Sequence, residues 1–314
     1  MPSKRHGKLI ARLTETAPMA CASEVCSDVV KLRLKPIRRL MKLARRRWRR
    51  EPEHVHRLRV AIRRAQVTLH FFADQLPAKA IRSIERHLKR IRRAANAARD
   101  IDVLLLRYEK CSDQSCSPAE WREFLRFLRK KRSDAQIKLD ELIGRRGRRS
   151  LSRRFRQLFE CPAAAAAPTV AFRKLVEQQV HSEFAKFFRI VEKGDHGIES
   201  LHRLRIAGKR VRYVLELGTG AYARAEFEPL YHSFCQLQEQ FGVVNDLACT
   251  VDVLDSFLST HHKIIRRILK RRLQIEQTAL QDASDQLLKN WDEKSWQDLN
   301  QKLVALLNRD ASAS

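Results

Sequence analysis

Apolar residues recur along this chain at spacings of three and four, which lines one side of a helix with the residues a core requires. Leu34, Ile37, Met41, Ala44 and Trp48 form one stripe, Val55, Leu58, Ile62, Ala65 and Leu69 a second, and Ile84, Leu88, Ile91, Ala95 and Ala98 a third. A fourth helix is expected from Trp121 to about Leu142, followed by a strongly basic run from Arg145 to Arg156. Farther on, Phe172 to Val191, Leu201 to Leu217, Phe227 to Phe241 and Ile264 to Leu288 repeat the plan. With 9 Gly and 9 Pro in 314 residues and few β-branched runs, the chain does not read as a sheet protein with many turns.

The pattern also repeats in detail. The stretch HRLRVAIRR, from His56 to Arg64, returns as HRLRIAGKR from His202 to Arg210, 146 positions on. Asp100 and Asp246 are separated by the same 146 positions, so two features hold one ungapped offset. An internal duplication is predicted, folded as two antiparallel helical bundles about a pseudo-two-fold axis, all-α throughout. The sharpest break is Cys161-Pro162, five alanines and Pro168, where prolines disfavour a continuing helix. The predicted division is an N-terminal tail (1–23), a first half (24–160), a linker (161–168), a second half (169–290) and a C-terminal segment (291–314). Glu51-Pro52-Glu53 and Gly194-Asp195-His196-Gly197 set each His motif near the start of a new helix.

Charge narrows the partner. The 64 Lys and Arg against 36 Asp and Glu leave a formal net charge of +28. Such an excess repels itself unless a polyanion or counterions offset it, which points to nucleic acid, anionic lipid or inorganic polyphosphate. No stretch reaches the roughly 18 apolar residues of a membrane span, and the basic N-terminus lacks the apolar core of a secretory signal. A cytoplasmic protein is therefore expected. The seven cysteines (21, 26, 111, 116, 161, 235 and 249) read as free thiols, and no metal or other cofactor is expected.

Helical geometry then separates organised from scattered charge. His56, Arg59 and Arg63 share a face beside their apolar stripe; so do Lys35, Arg38, Lys42, Arg45 and Arg49 on the preceding helix, and Arg82, Arg86, Lys89, Arg90 and Arg93 on the following one. If the three helices are neighbours, these ridges converge on one basic groove. Asp100 and Asp246 would repel an anion there, so each is read as structural, orienting an Arg or His across helices.

The segment from Val55 to Arg64, the later Arg99-Asp100-Ile101-Asp102-Val103-Leu104 and their weaker second copies resemble the CHAD family, the conserved-histidine α-helical domain. The resemblance extends from about residue 24 to about 290 and implies two helical bundles around a central basic groove. It also implies binding of inorganic polyphosphate and association with polyphosphate granules. By this resemblance His56, Arg59, Arg63 and Arg64 would be ligand residues, as would His202, Arg205, Lys209 and Arg210; Arg212 is added to the second-half set. The halves are not symmetric. Arg86, Lys89, Arg90 and Arg93 correspond to His232, Cys235, Gln236 and Glu239, and Arg99 to Asn245. The alternating Glu-x-Glu-x-Lys motif of the triphosphate-tunnel domain is lacking, which implies a stand-alone, non-enzymatic CHAD protein.

A groove of Arg forks and Lys ammonium groups would grip polyphosphate by charge-assisted hydrogen bonds. Histidines beside a polyanion are biased toward protonation. An RNA- or DNA-binding protein is the alternative, although apart from Tyr213 the ridges offer few aromatics on which bases could stack. A phosphohydrolase or phosphotransferase using His56 or His202 ranks lower, because neither clustered carboxylates suited to Mg²⁺ nor a glycine-rich phosphate loop is visible.

Overall fold

A computed structural model describes residues 21–110, 117–160, 170–194, 197–219, 221–222, 224–259 and 262–308. These form ten α-helices: α1 Ala22–Arg46, α2 Glu53–Phe71, α3 Ala78–Tyr108, α4 Pro118–Ile143, α5 Arg145–Glu160, α6 Phe172–Val191, α7 Ile198–Gly218, α8 Arg224–Phe257, α9 Lys263–Asn290 and α10 Glu293–Asn308. Among the described residues there is no strand, as the apolar periodicity predicts. The stripes become the core: Leu34, Ile37, Met41, Val55, Leu58, Ile62, Ile84, Leu88 and Ile91 are all buried. Local signals set the helix ends. At α4, Ser117 Oγ accepts the Glu120 N–H at 3.3 Å, and Glu120 Oε2 accepts the Ser117 N–H at 3.0 Å with Pro118 in the first turn. That reciprocal pair satisfies two donors that a helix start leaves free.

Consecutive helices pack as hairpins, α1 with α2, α3 with α4, α6 with α7 and α8 with α9. Contacts between the first five helices and the last five run through α2 with α7, α3 with α8, α4 with α9 and α1 with α6. The two starts are also tied together, since Ala22 N–H donates to the Val170 carbonyl at 2.9 Å. One hydrophobic core extends from Ala22 to Leu306 through both halves. A second, smaller cluster around Tyr108, Trp121, Phe124 and Leu254 joins the far ends of α3, α4, α8 and α9. Buried ion pairs add cross-links: Glu216 of α7 accepts from Arg33 of α1 and Arg64 of α2, both at 3.2 Å. Arg132 of α4 donates to Asp102 of α3 at 2.5 Å and lies over the Trp48 ring at 4.4 Å.

Several extents differ from the sequence expectation. The basic run after α4 is helical, because Leu151 and Leu158 fall seven apart and bury one side of α5. Helix α8 continues through Gly242 to Phe257, well beyond Phe241. The last segment contains α10, which packs on α8 through Leu299, Leu303 and Leu306. Cys26 lies in the core, where burial pushes its thiol up to about 12. The tail before residue 21, the Pro/Ala linker 161–168, Cys111, Cys116, Asp195 and His196 lie outside the described residues.

Candidate functional site

On α2, the buried stripe Val55, Leu58, Ile62, Ala65 and Leu69 is flanked one position later by His56, Arg59, Arg63, Gln66 and His70. One residue is about 100° of rotation, so a row that trails the stripe stands at the edge of the packed face. The same trailing row on α3 is Arg82, Glu85, Lys89, Arg92, Asn96 and Arg99, and on α7 it includes His202, Arg205 and Lys209. These rows line a single cavity of about 1080 Å³ between α2, α3, α7 and α8, to which α6 adds Gln179 and Glu183. Its walls hold ten Lys and Arg and three His against four carboxylates. The distribution is uneven: α2 and α3 supply seven of the ten Lys and Arg, α7 supplies three (Arg205, Lys209 and Arg210), and α8 supplies none.

Packing so many cations together changes their chemistry. Lys209 is pushed down to about 6 by burial and by Arg63, Arg205, Arg212 and Arg59. Arg205 is pushed down to about 10, chiefly by burial and Arg63. His56 is also held below the usual imidazole range: burial is the largest cause, Glu53 opposes it, and Arg99, Arg59 and Arg63 reinforce it. Hence, in the free protein, His56 is biased away from protonation, the reverse of the bias expected beside a polyanion. Asp100 is raised by burial, against the pull of Arg59, whose Nη1 lies 3.8 Å away, and with a further push from Asp246. Asp100 thus stands across from Arg59 between α3 and α2. The Nε atoms of Arg59, Arg92 and Arg205 and the Nη1 of Arg99 are buried without a hydrogen-bond partner among the described residues. Buried donors of that kind call for an acceptor, and cationic donors call for an anionic one.

Of the residues singled out in the sequence, the cavity gathers His56, Arg59, Arg63, Arg86, Lys89, His202, Arg205, Lys209 and Arg210, with Asp100 and Asp246. It does not gather Lys35, Arg38, Lys42 and Arg45, which are exposed on α1 away from its walls. Arg64 turns to Glu216, and Arg212 lies over the Tyr213 ring at 5.1 Å. Arg90 and Arg93 stand two positions after the buried Leu88 and Ile91, which rotates them off the wall to exposed positions. Sequence reasoning left out Arg92 and Arg99 and did not number Arg82 among the site residues. Their signal was the trailing position one residue after each apolar stripe.

The chain matches the CHAD domain family over residues 34–255. Its fold is similar to the crystal structure of the CHAD domain from the plant Ricinus communis, with a TM-score of 0.60 and 23% identity over 92% of this chain and 94% of that one. It is also similar to PptA from Streptomyces chartreusis, with a TM-score of 0.60 and 17% identity over 85% of this chain and 99% of that one. No curated protein matches the chain. Since the match covers most of the sequence and takes in both His motifs and the three helices that supply the cavity's Lys and Arg, the chain belongs to the CHAD domain family.

Proposed function

We propose that this protein binds inorganic polyphosphate in the cavity between α2, α3, α7 and α8, without turning it over. The observation that carries this reading is the convergence of ten Lys and Arg on one cavity with buried guanidinium nitrogens left unpartnered. A linear polymer of phosphates presents an acceptor at every unit and no bases, which suits walls that offer charge and donors. Bases would need exposed aromatic faces. The two aromatic rings of the wall, Phe71 and Tyr213, are only 2% and 3% exposed, so they serve packing rather than stacking. Arg59 and Arg63 of α2 and Arg205 and Lys209 of α7 are the principal ligands, with α3 adding Arg82, Lys89, Arg92 and Arg99. Residence in the cytoplasm, with recruitment to polyphosphate granules, follows from that ligand. Competition between long-chain polyphosphate and single-stranded RNA for the purified protein at fixed salt tests the reading: polyphosphate should displace RNA, and RNA binding of equal strength would overturn it.

A further inference from the structure

The formal charge is divided very unequally along the chain. Residues 1–160 hold 43 Lys and Arg against 17 Asp and Glu, a net of +26, whereas residues 161–314 hold 21 against 19, a net of +2. The cavity, with ten cations and four carboxylates, absorbs only part of the excess. Much of the rest lies on two helices that do not line it. On α1, Lys35, Arg38, Lys42 and Arg45 form one exposed row. On α5, Arg145, Arg149 and Arg153 are exposed on the side turned away from the buried Leu151 and Leu158. No ion pair among the described residues involves any of these side chains.

The two rows share one seam, because α1 packs on α5. Lys31, one turn before Lys35, places its Nζ 5.2 Å from the Phe159 ring of α5. Arg148 of α5 is pushed below the usual guanidinium range by burial and then by Arg45, Arg46 and Arg38 of α1. Helix α3 connects this seam to the cavity. Its Arg86 and Lys89 are on the cavity wall, and Arg90 and Arg93 are exposed beside them. Next along, Arg154 of α5 donates to Ser83 Oγ at 3.1 Å. His87, between them, is held below the usual imidazole range by burial, Arg154 and Arg90. The positive surface is therefore continuous from the cavity, across the outer face of α3, to the seam of α5 and α1. A continuous row of unpaired cations suits a linear polyanion that neutralises many of them at once.

We propose that a polyphosphate chain too long for the cavity leaves it across the outer face of α3 and is held again along the seam between α5 and α1. This rests on the reading of the cavity as the polyphosphate site. The protein would then favour long chains by engaging one polymer at two connected places, the second binding step gaining from the high local concentration that the first creates.

Chain length tests it. Helix α5 alone spans 16 residues, about 24 Å, so tripolyphosphate cannot occupy cavity and seam together. Arg145→Gln, Arg149→Gln and Arg153→Gln, combined on the full chain, remove three exposed charges without touching the core; circular dichroism checks that helix content is kept. Titrations with tripolyphosphate and with long-chain polyphosphate at several salt concentrations should show tripolyphosphate binding unchanged. Long-chain affinity should fall at least tenfold, with a salt slope lower by about 2 if each lost contact counts as on a single-stranded polyanion. Arg90→Gln with Arg93→Gln, which breaks the connection, should show the same selectivity for long chains. Equal losses for both polymers, no loss for the long one, or loss of RNA binding alone would overturn the proposal. A wild-type protein that binds neither polyphosphate would instead overturn the reading of the cavity.

Discussion

If the cavity holds polyphosphate as proposed, Lys209 should make that binding a proton-uptake reaction. In the free protein its ammonium is pushed down to about 6 from an ordinary 10.5, so at about pH 7.5 the side chain is almost wholly neutral. A bound polyanion offsets Arg63, Arg205, Arg212 and Arg59 and draws a proton onto it. Affinity should therefore be greatest below about pH 6, where the proton is already in place, and should fall up to tenfold per pH unit above it, levelling where the bound ammonium titrates. At about pH 7.5 charging Lys209 costs on the order of 2 kcal/mol, a factor of about 30 in affinity, from about 1.4 kcal/mol per pH unit. Lys209→Arg supplies a charge that persists, since the neighbouring Arg205 remains cationic up to about 10. The variant should bind up to about 30-fold more tightly than wild type near pH 7.5 and equally near pH 5.5. Calorimetry in buffers of different ionisation enthalpy reads the proton directly. Wild type should take up more protons per complex near pH 8 than Lys209→Arg, the difference being close to one. Parallel affinity profiles for the two proteins, or no uptake by wild type near pH 8, would refute the reasoning.

Arg59→Glu with Arg63→Glu should abolish polyphosphate binding while leaving the far-ultraviolet dichroism intact; filter binding at fixed salt reads the loss. Neutralising Arg82, Lys89 and Arg92 together should lower both affinity and its salt slope, by about 2 for three contacts, whereas His232→Ala with Gln236→Ala should change neither. Glu216→Gln leaves the buried Arg33 and the partly buried Arg64 without their shared carboxylate, so chemical denaturation should show a loss of about 3–5 kcal/mol.

The helices were legible because each carries its own apolar stripe, and the His motifs announced the walls of the site by recurring at one offset. The position of the α1 ridge was not legible. Periodicity fixes Lys35, Arg38, Lys42 and Arg45 relative to the stripe of their own helix, yet which neighbour that face meets is decided by packing of α1 against α2, α5 and α6. On α3 the difficulty was angular. Arg90 and Arg93 differ from Lys89 and Arg92 by one position each, but that step of about 100° separates an exposed side chain from the cavity wall. Arg64 looked like a ligand for the same reason that Arg63 did, and only its partner Glu216, 152 positions away, removes it from the wall. Helix α10 escaped notice because its Leu299, Leu303 and Leu306 gain meaning only against α8.

The apolar core that passes without interruption through both halves has a mechanical consequence. Opposite walls of the cavity rest on the same packed interior, and separating them would expose Leu and Phe side chains to water. The cavity is therefore expected to act as a fixed cleft rather than as jaws that close. A polymer bound as proposed would meet walls already at their final spacing and would need no opening of the core to enter.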